Sequence, residues 1–394
     1  MKKVYFTVGP TQLYPTVKEH IKTAIREDIP SISHRGKRFA DIYKQTADNL
    51  RRLMGIPSDY HIFFLGSATE AMERIIQNTV KSHSFHLVNG AFSKKFFTIA
   101  LQLGKMAEKI EVPLGRGFDI KSIKIPEQTE CICITQNETS TGVSVPTSDI
   151  YYLKHVMQSC HSERSVSGVE ESHATKLLSG MRSLHSSADS VGMTGPLVAL
   201  DVVSSAPYVR IDFSLADMTF FSVQKLFGLP AGLGVLIVSP KAFEKSKNLF
   251  EKGAGIGSYH NFLVMEEYSR KYQAHETPNV LGIYLLGKVC NDFLEKGIDT
   301  IRKETEEKAR VLYEYFDNHA KYKPGVREKK FRSLTTIVID TQGETAKILP
   351  YLAENGFIVS SGYGEFKENQ IRIANFPSIS LEDAERLLGV FAST

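Results

Sequence analysis

Leu197-Val-Ala-Leu-Asp201 and Met218-Thr-Phe-Phe-Ser-Val-Gln-Lys225 decide how this chain is read. Each is a short, almost continuous apolar run, the pattern of a strand buried on both faces of a parallel sheet. Each delivers one ionisable side chain at or just past its end. Burial is costly for an amine, because desolvation disfavours its charged form, unless chemistry employs that shift. A carboxylate set about two dozen residues upstream supplies a partner of opposite charge.

Outward from these runs, helix-like and strand-like stretches alternate. An amphipathic run at 38–54 precedes the compact His61-Ile-Phe-Phe-Leu65. Helix-like 69–80, strand-like Phe85-His-Leu-Val-Asn89 and helix-like 93–103 follow. Further strands are expected at 131–135 and 234–238. The alternation predicts an α/β fold, a mostly parallel sheet covered by helices on both faces, with ligands at the carboxyl ends of its strands. Gly66, Asn89, Asn137, Asp201 and Lys225 all fall there. The glycine-rich Lys252-Gly-Ala-Gly-Ile-Gly-Ser258 marks a change of domain, giving a large domain over 1–255 and a smaller C-terminal α/β domain over 256–394. The small domain shows helix-like 281–294 and 301–315, then strands at 335–339, 358–360 and 371–374. The first dozen residues fit either body. From 159 to 194 the chain is rich in Ser, His, Glu and Gly without apolar periodicity, which predicts a surface insertion. Its His161, His173 and His185 match no metal-ligand spacing and read as solvated loop residues.

Composition excludes several classes. The chain has 394 residues, 42% apolar and 23% charged, the balance of an ordinary globular protein long enough for two domains. A net charge of +4 with scattered lysines is too weak for a nucleic-acid binder. No apolar run has bilayer-spanning length, and the start lacks the apolar core of a signal peptide, so the cytoplasm is the expected compartment. Four cysteines make no disulfide framework, and Cys131 and Cys133 alternate along a strand as small packing residues.

Other strand ends add to the Lys225–Asp201 pair. In Leu65-Gly-Ser-Ala-Thr-Glu-Ala-Met72 a strand, a small polar turn and a helix start make an anion cradle, to which Ser67, Ala68 and Thr69 offer backbone amides. Phe92 opens another helix after a strand and can stack on a flat heteroaromatic ring, a contact worth about 1 kcal/mol. Thr135-Gln-Asn-Glu-Thr-Ser-Thr-Gly142 brings hydroxyls to a third strand end. Helix capping, core packing and turn chemistry account for each of these singly. With the amine and acid they suit pyridoxal 5'-phosphate: Lys225 forms the Schiff base, Asp201 keeps the pyridine nitrogen protonated, and the turn holds the phosphate.

On these residues the chain resembles the class V, fold-type I pyridoxal-phosphate aminotransferases, and within them the phosphoserine aminotransferases. The resemblance covers nearly the whole chain outside the insertion. Its carriers are Phe6-Thr-Val-Gly-Pro10, Ser33-His-Arg-Gly-Lys-Arg-Phe39, Asn137-Glu-Thr139, Asp201-Val-Val-Ser-Ser205, Ser222-Val-Gln-Lys-Leu-Phe-Gly228, Thr277-Pro278 and Ile371-Arg-Ile-Ala-Asn375. It implies Lys225 as the Schiff-base lysine, Asp201 as partner of the pyridine nitrogen and Phe92 as the stacking ring. Ala68, Thr69 and Gln224 would meet the phosphate, and Thr139 would lie near the ring hydroxyl. Thr277 would reach the phosphate of a neighbouring subunit, which implies a homodimer with active sites at its interface. Arg372 would hold the substrate α-carboxylate, a task suited to a guanidinium fork, and His34 and Arg35 its far anionic group. Two positions depart from the pattern. The cradle Gly66-Ser-Ala-Thr69 lacks an arginine, and Glu276 stands where an asparagine would be expected. A carboxylate there repels a phosphate unless it is turned away or protonated.

The expected reaction is a two-stage amino transfer between O-phosphoserine and 2-oxoglutarate, with Lys225 moving the α-proton. A class V transaminase acting on alanine or serine with glyoxylate or pyruvate is the nearby alternative. A catalytically inactive binding protein on the same fold is the alternative of another class. A cysteine desulfurase fits poorly, since Gln224 rather than histidine precedes Lys225.

Overall fold

The computed structural model describes residues 3–154 and 195–392. The expected insertion at 159–194, with its three histidines, lies outside the described residues.

The larger sheet has seven strands in the order His61–Leu65, Gly234–Val238, Met218–Ser222, Leu197–Asp201, Cys131–Thr135, His83–Val88 and Met106–Glu111. Gly234–Val238 is antiparallel to both neighbours, and the remaining pairings are parallel. The α/β expectation is therefore met. Strand residues alternate between two apolar layers because successive side chains point to opposite faces. Ile62, Phe64, Val198, Leu200 and Phe221 join one core, whereas Phe63, Leu65, Leu197, Ala199 and Phe220 join the other. With both faces covered, every residue of Leu197–Asp201 and of Met218–Ser222 is buried. That burial is why these strands read as unbroken apolar runs. Met106–Glu111 was not anticipated: as an edge strand it exposes Met106, Glu108, Lys109 and Glu111, so it carries no apolar signature.

Helices Ala68–Thr79 and Ala91–Gln102 cover one face, and Lys37–Met54 and Val280–Lys296 the other. The second sheet has five strands in the order Val4–Phe6, Phe357–Ser361, Gln370–Ala374, Thr336–Asp340 and Lys323–Pro324. Val4–Phe6 pairs in parallel with Phe357–Ser361, so the chain's start belongs to the smaller sheet. It then crosses to the larger body, where the Thr11 amide donates to the Gln224 carbonyl at 3.2 Å and the Tyr14 amide to that of Gly228 at 2.9 Å.

Packing continues against the larger sheet well past the glycine-rich turn. Phe262 and Met265 join one of its cores, and Ile283, Leu286 and Phe293 the other. At Gly297, with φ of +85°, the chain turns into Ile298–Asn318, whose Ala309, Leu312 and Phe316 pack on the second sheet. On this packing we propose that the domain division falls near Gly297 rather than at 255.

Gly287 lies where Val280–Lys296 crosses Lys37–Met54. A methyl group there would strike the Thr46 hydroxyl, which donates to the Ile283 carbonyl at 3.0 Å. Gly287→Ala is expected to cost about 1–3 kcal/mol of stability through overpacking. Urea denaturation should show a lower midpoint with an unchanged slope.

Candidate active site

The carboxyl ends of the parallel strands converge on Lys225. The side chain is 7% exposed, at the end of the turn that follows Met218–Ser222. Burial lowers its amine to about 8; the Arg372 guanidinium adds to the shift, and the charges of Asp201 and Glu138 oppose it. Asp201, 2% exposed, closes the neighbouring strand. Its carboxylate accepts from the Val203 amide at 2.9 Å and the Thr135 hydroxyl at 3.4 Å. Burial pushes it up to about 7 against the Val203 hydrogen bond, with Glu138 adding to the rise and Lys225 resisting it. Amine and acid are thus both brought close to neutral pH, a combination characteristic of reactive sites. Gly9 closes over the lysine. A Cβ at that position would come within 2.6 Å of Lys225 Cε, and its φ of +133° favours glycine as well.

Phe92 begins the helix Ala91–Gln102, and Lys225 Nζ lies 5.6 Å from its ring centroid. The helix start is fixed by Glu138, a fully buried carboxylate. It accepts from the Phe92 amide at 3.1 Å, the Ser93 amide at 2.9 Å and the Ser140 hydroxyl at 2.6 Å. An anion at a helix N-terminus satisfies amides that have no helical partner. Next to it, the Thr139 hydroxyl donates to Ser204 Oγ at 2.8 Å, and Asn137 Nδ2 donates to the same oxygen at 2.8 Å.

Arg372 reaches the same place from the second sheet. Its Nε donates to the Ser361 carbonyl at 2.9 Å, and Nη1 to the Thr139 carbonyl at 3.4 Å. The guanidinium lies 5.3 Å from the Tyr363 ring centroid, and Tyr363 in turn lies 5.5 Å from Phe92. Arg372 makes no carboxylate ion pair among the described residues, so this partly buried cation is suited to an anion from outside the chain.

At 66–69 the strand-to-helix turn has the expected form. The Ser67 hydroxyl accepts from the Glu70 amide at 3.1 Å, and the Ala68 amide donates to Ser222 Oγ at 3.0 Å. Gly234 lets the neighbouring strand lie against this turn, since a Cβ there would be 2.6 Å from the Ser67 carbonyl carbon. Thr69 is exposed at the helix start, and Gln224 is half-buried beside Lys225.

His34 and Arg35 lie beside the segment that leads to Thr277. Arg35 donates to the carbonyls of Ala274 at 2.5 Å and His275 at 3.0 Å, with its guanidinium 4.8 Å from the Tyr268 ring centroid. Thr277 is exposed two residues beyond. Among the described residues no hydrogen bond or ring contact joins these three to Lys225, Asp201 or Arg372. Conversely, sequence reading assigned no role to Gly9, Glu138, Ser204 or Tyr363. Glu138 and Ser204 stood inside motifs already singled out, but nothing local distinguishes a carboxylate that caps a distant helix from one in a turn.

The aminotransferase class-V family profile matches residues 4–161 and 183–365. A crystal structure of a phosphoserine aminotransferase from Cytophaga hutchinsonii is 43% identical, covering 100% of this chain and 99% of that one, with a TM-score of 0.89. The phosphoserine aminotransferase of Corynebacterium glutamicum is 26% identical over 390 residues, 98% of this chain and 92% of its own length. Another phosphoserine aminotransferase structure, 18% identical over 100% of this chain and 99% of its own, has the same fold at a TM-score of 0.76. A chain with this sheet order, this buried amine and these relatives belongs to the class V aminotransferases.

Proposed function

We propose that the protein is a pyridoxal 5'-phosphate-dependent phosphoserine aminotransferase, working as a homodimer in the cytoplasm. The observation that carries this reading is the buried Lys225–Asp201 pair, with the guanidinium of Arg372 close enough to shift the lysine. Relatives named as phosphoserine aminotransferases along nearly the full chain support the substrate.

The residues present fit the cofactor. A buried acid raised to about 7 is suited to a protonated ring nitrogen, whose positive charge would restore its ionised form. Phe92 offers a ring beside the amine, and Thr69 with Gln224 offers donors to a phosphate, whereas the Ala68 amide is held by Ser222 Oγ. When bound, the cofactor supplies an aromatic ring that withdraws electrons from the substrate α-carbon. Lys225 would hold its aldehyde carbon. The Lys225 amine would also be the base placed to move the substrate α-proton. Asp201 would keep the ring nitrogen protonated, and Thr139 would sit near the ring hydroxyl. Arg372 would bind the α-carboxylate of both donor and acceptor, orienting the bond to be broken.

Within one chain His34, Arg35 and Thr277 stand apart from this group. That separation supports a shared site, in which His34 and Arg35 bind the substrate phosphate and Thr277 the cofactor phosphate of the neighbouring subunit. No helix among the described residues is long and apolar enough to cross a membrane.

Three outcomes are expected. Purified protein loaded with pyridoxal 5'-phosphate should be yellow and bleach on mixing with O-phosphoserine, much faster than with alanine. A preference for alanine would favour the alanine–glyoxylate type, and binding without bleaching by any amino acid would favour an inactive binding protein. In that same assay Lys225→Ala should neither bleach nor turn over. The second outcome follows from the lowered lysine. Attack on the cofactor aldehyde needs the neutral amine, so stopped-flow loading of cofactor-free protein should quicken about tenfold per pH unit and level off above about 8. A midpoint near the ordinary lysine value would contradict the desolvated site. Thirdly, Arg372→Ala removes a charged hydrogen-bond donor and should raise KM for both substrates by about 10–100-fold in steady-state assays.

A further inference from the structure

Glu70, His260 and Glu276 form a chain of side chains that the transfer chemistry does not require. His260 is 1% exposed. Its Nδ1 lies 2.5 Å from Glu70 Oε1, and its Nε2 lies 2.6 Å from Glu276 Oε2. Ionised carboxylates only accept, so either both ring nitrogens donate or one glutamate holds the proton. In both cases the chain contains one proton more than a neutral ring between two carboxylates. The backbone at His260 has φ of +52°, a conformation that residues other than glycine adopt seldom and only where surroundings enforce it. The Tyr259 ring stacks on the imidazole at 4.0 Å.

The two ends of the chain reach segments proposed above to meet cofactor phosphates, one of this subunit and one of its neighbour. The second oxygen of Glu70 accepts from the Gly66 amide at 2.9 Å, in the turn that forms the cradle. Glu276 immediately precedes Thr277. We propose that His260 is a positioning residue for the phosphate end of the cofactor site, its imidazolium fastening the 66–69 turn to the segment that carries Thr277 while turning the Glu276 carboxylate aside. This role rests on the transaminase function proposed above. It accounts for the glutamate where an asparagine was expected: the carboxylate is engaged by a cation and need not face the phosphate.

Glu70 from Ala68–Thr79, Tyr259 before it and Glu276 beyond it contact His260; Arg74 lies 3.9 Å from Glu70, and His275 lies against Tyr259. Tyr43, on Lys37–Met54, also feels the Glu276 charge. Burial favours the neutral imidazole, but the hydrogen bonds with Glu276 and Glu70 outweigh it and raise the ring to about 9. A raised value in the folded state means that the clamp is complete below the unfolded-state value near 6.5 and is lost as pH rises through about 9.

The full chain without cofactor can be titrated by NMR of its imidazole nitrogens, with the His260 signal assigned by its loss in His260→Gln. Titration near 9, falling in Glu276→Gln, is expected; a midpoint at or below 6.5 overturns the proposal. Affinities for pyridoxal 5'-phosphate and for pyridoxal, which lacks the phosphate, then locate the effect. Both variants should bind the phosphorylated aldehyde about tenfold more weakly at pH 7.5 and leave pyridoxal unchanged. Equal weakening of both ligands, or of neither, overturns the role. Should the wild type bind neither aldehyde, the transaminase function falls with it. A low His260 midpoint with intact binding removes this role alone.

Discussion

Desolvation of an amine and an acid at one sheet edge is the constraint around which the molecule is arranged. In water Lys225 would hold its proton and Asp201 would release one; in this protein burial moves the amine down to about 8 and the acid up to about 7. Sheet burial on both faces makes that possible, because only strands sealed by helices above and below can end in groups so far from solvent. The same seal leaves few residues to hold the site in shape. Glu138 takes much of that task, joining the helix that carries Phe92 to the segment that carries Thr139.

The second sheet completes the arrangement. Arg372 and Tyr363 belong to its strands and turns, yet both meet the group around Phe92 and Thr139. The Thr335 hydroxyl donates to the Ser204 carbonyl at 2.5 Å, and the Ser333 amide to that of Gly142 at 2.9 Å. Gly142 is needed there, since a Cβ would come within 2.7 Å of Val338. Movement of one sheet against the other would therefore carry the guanidinium relative to the amine.

Much of this was legible in the amino-acid order, for reasons that differ by element. Strands buried on both faces announce themselves as short apolar runs, and Asp201 and Lys225 at their ends feel each other's charge. Met106–Glu111 was not legible, because an edge strand with solvent on much of its surface has the composition of a loop. The pairing of Val4–Phe6 with Phe357–Ser361 was equally silent: three residues specify no partner. The glycine-rich turn at 252–258 signalled a boundary, whereas the apolar faces of the helices after it stay with the first sheet. The roles of Gly9 and His260 escaped notice because they lie in contacts with residues far along the chain. A glycine in a loop and a histidine after a tyrosine carry no local mark of either.

The route of the N-terminal segment bears on how the protein is made. Residues 4–6 are synthesised long before their partner strand at 357–361. Pairings of such long sequence separation form late, since closing so large a loop is entropically expensive. Gly9 follows the paired residues closely, so the covering over Lys225 cannot settle until 357–361 has been made. A nascent chain can therefore build its larger sheet with the reactive amine still accessible, and that amine is enclosed only once the smaller sheet can form.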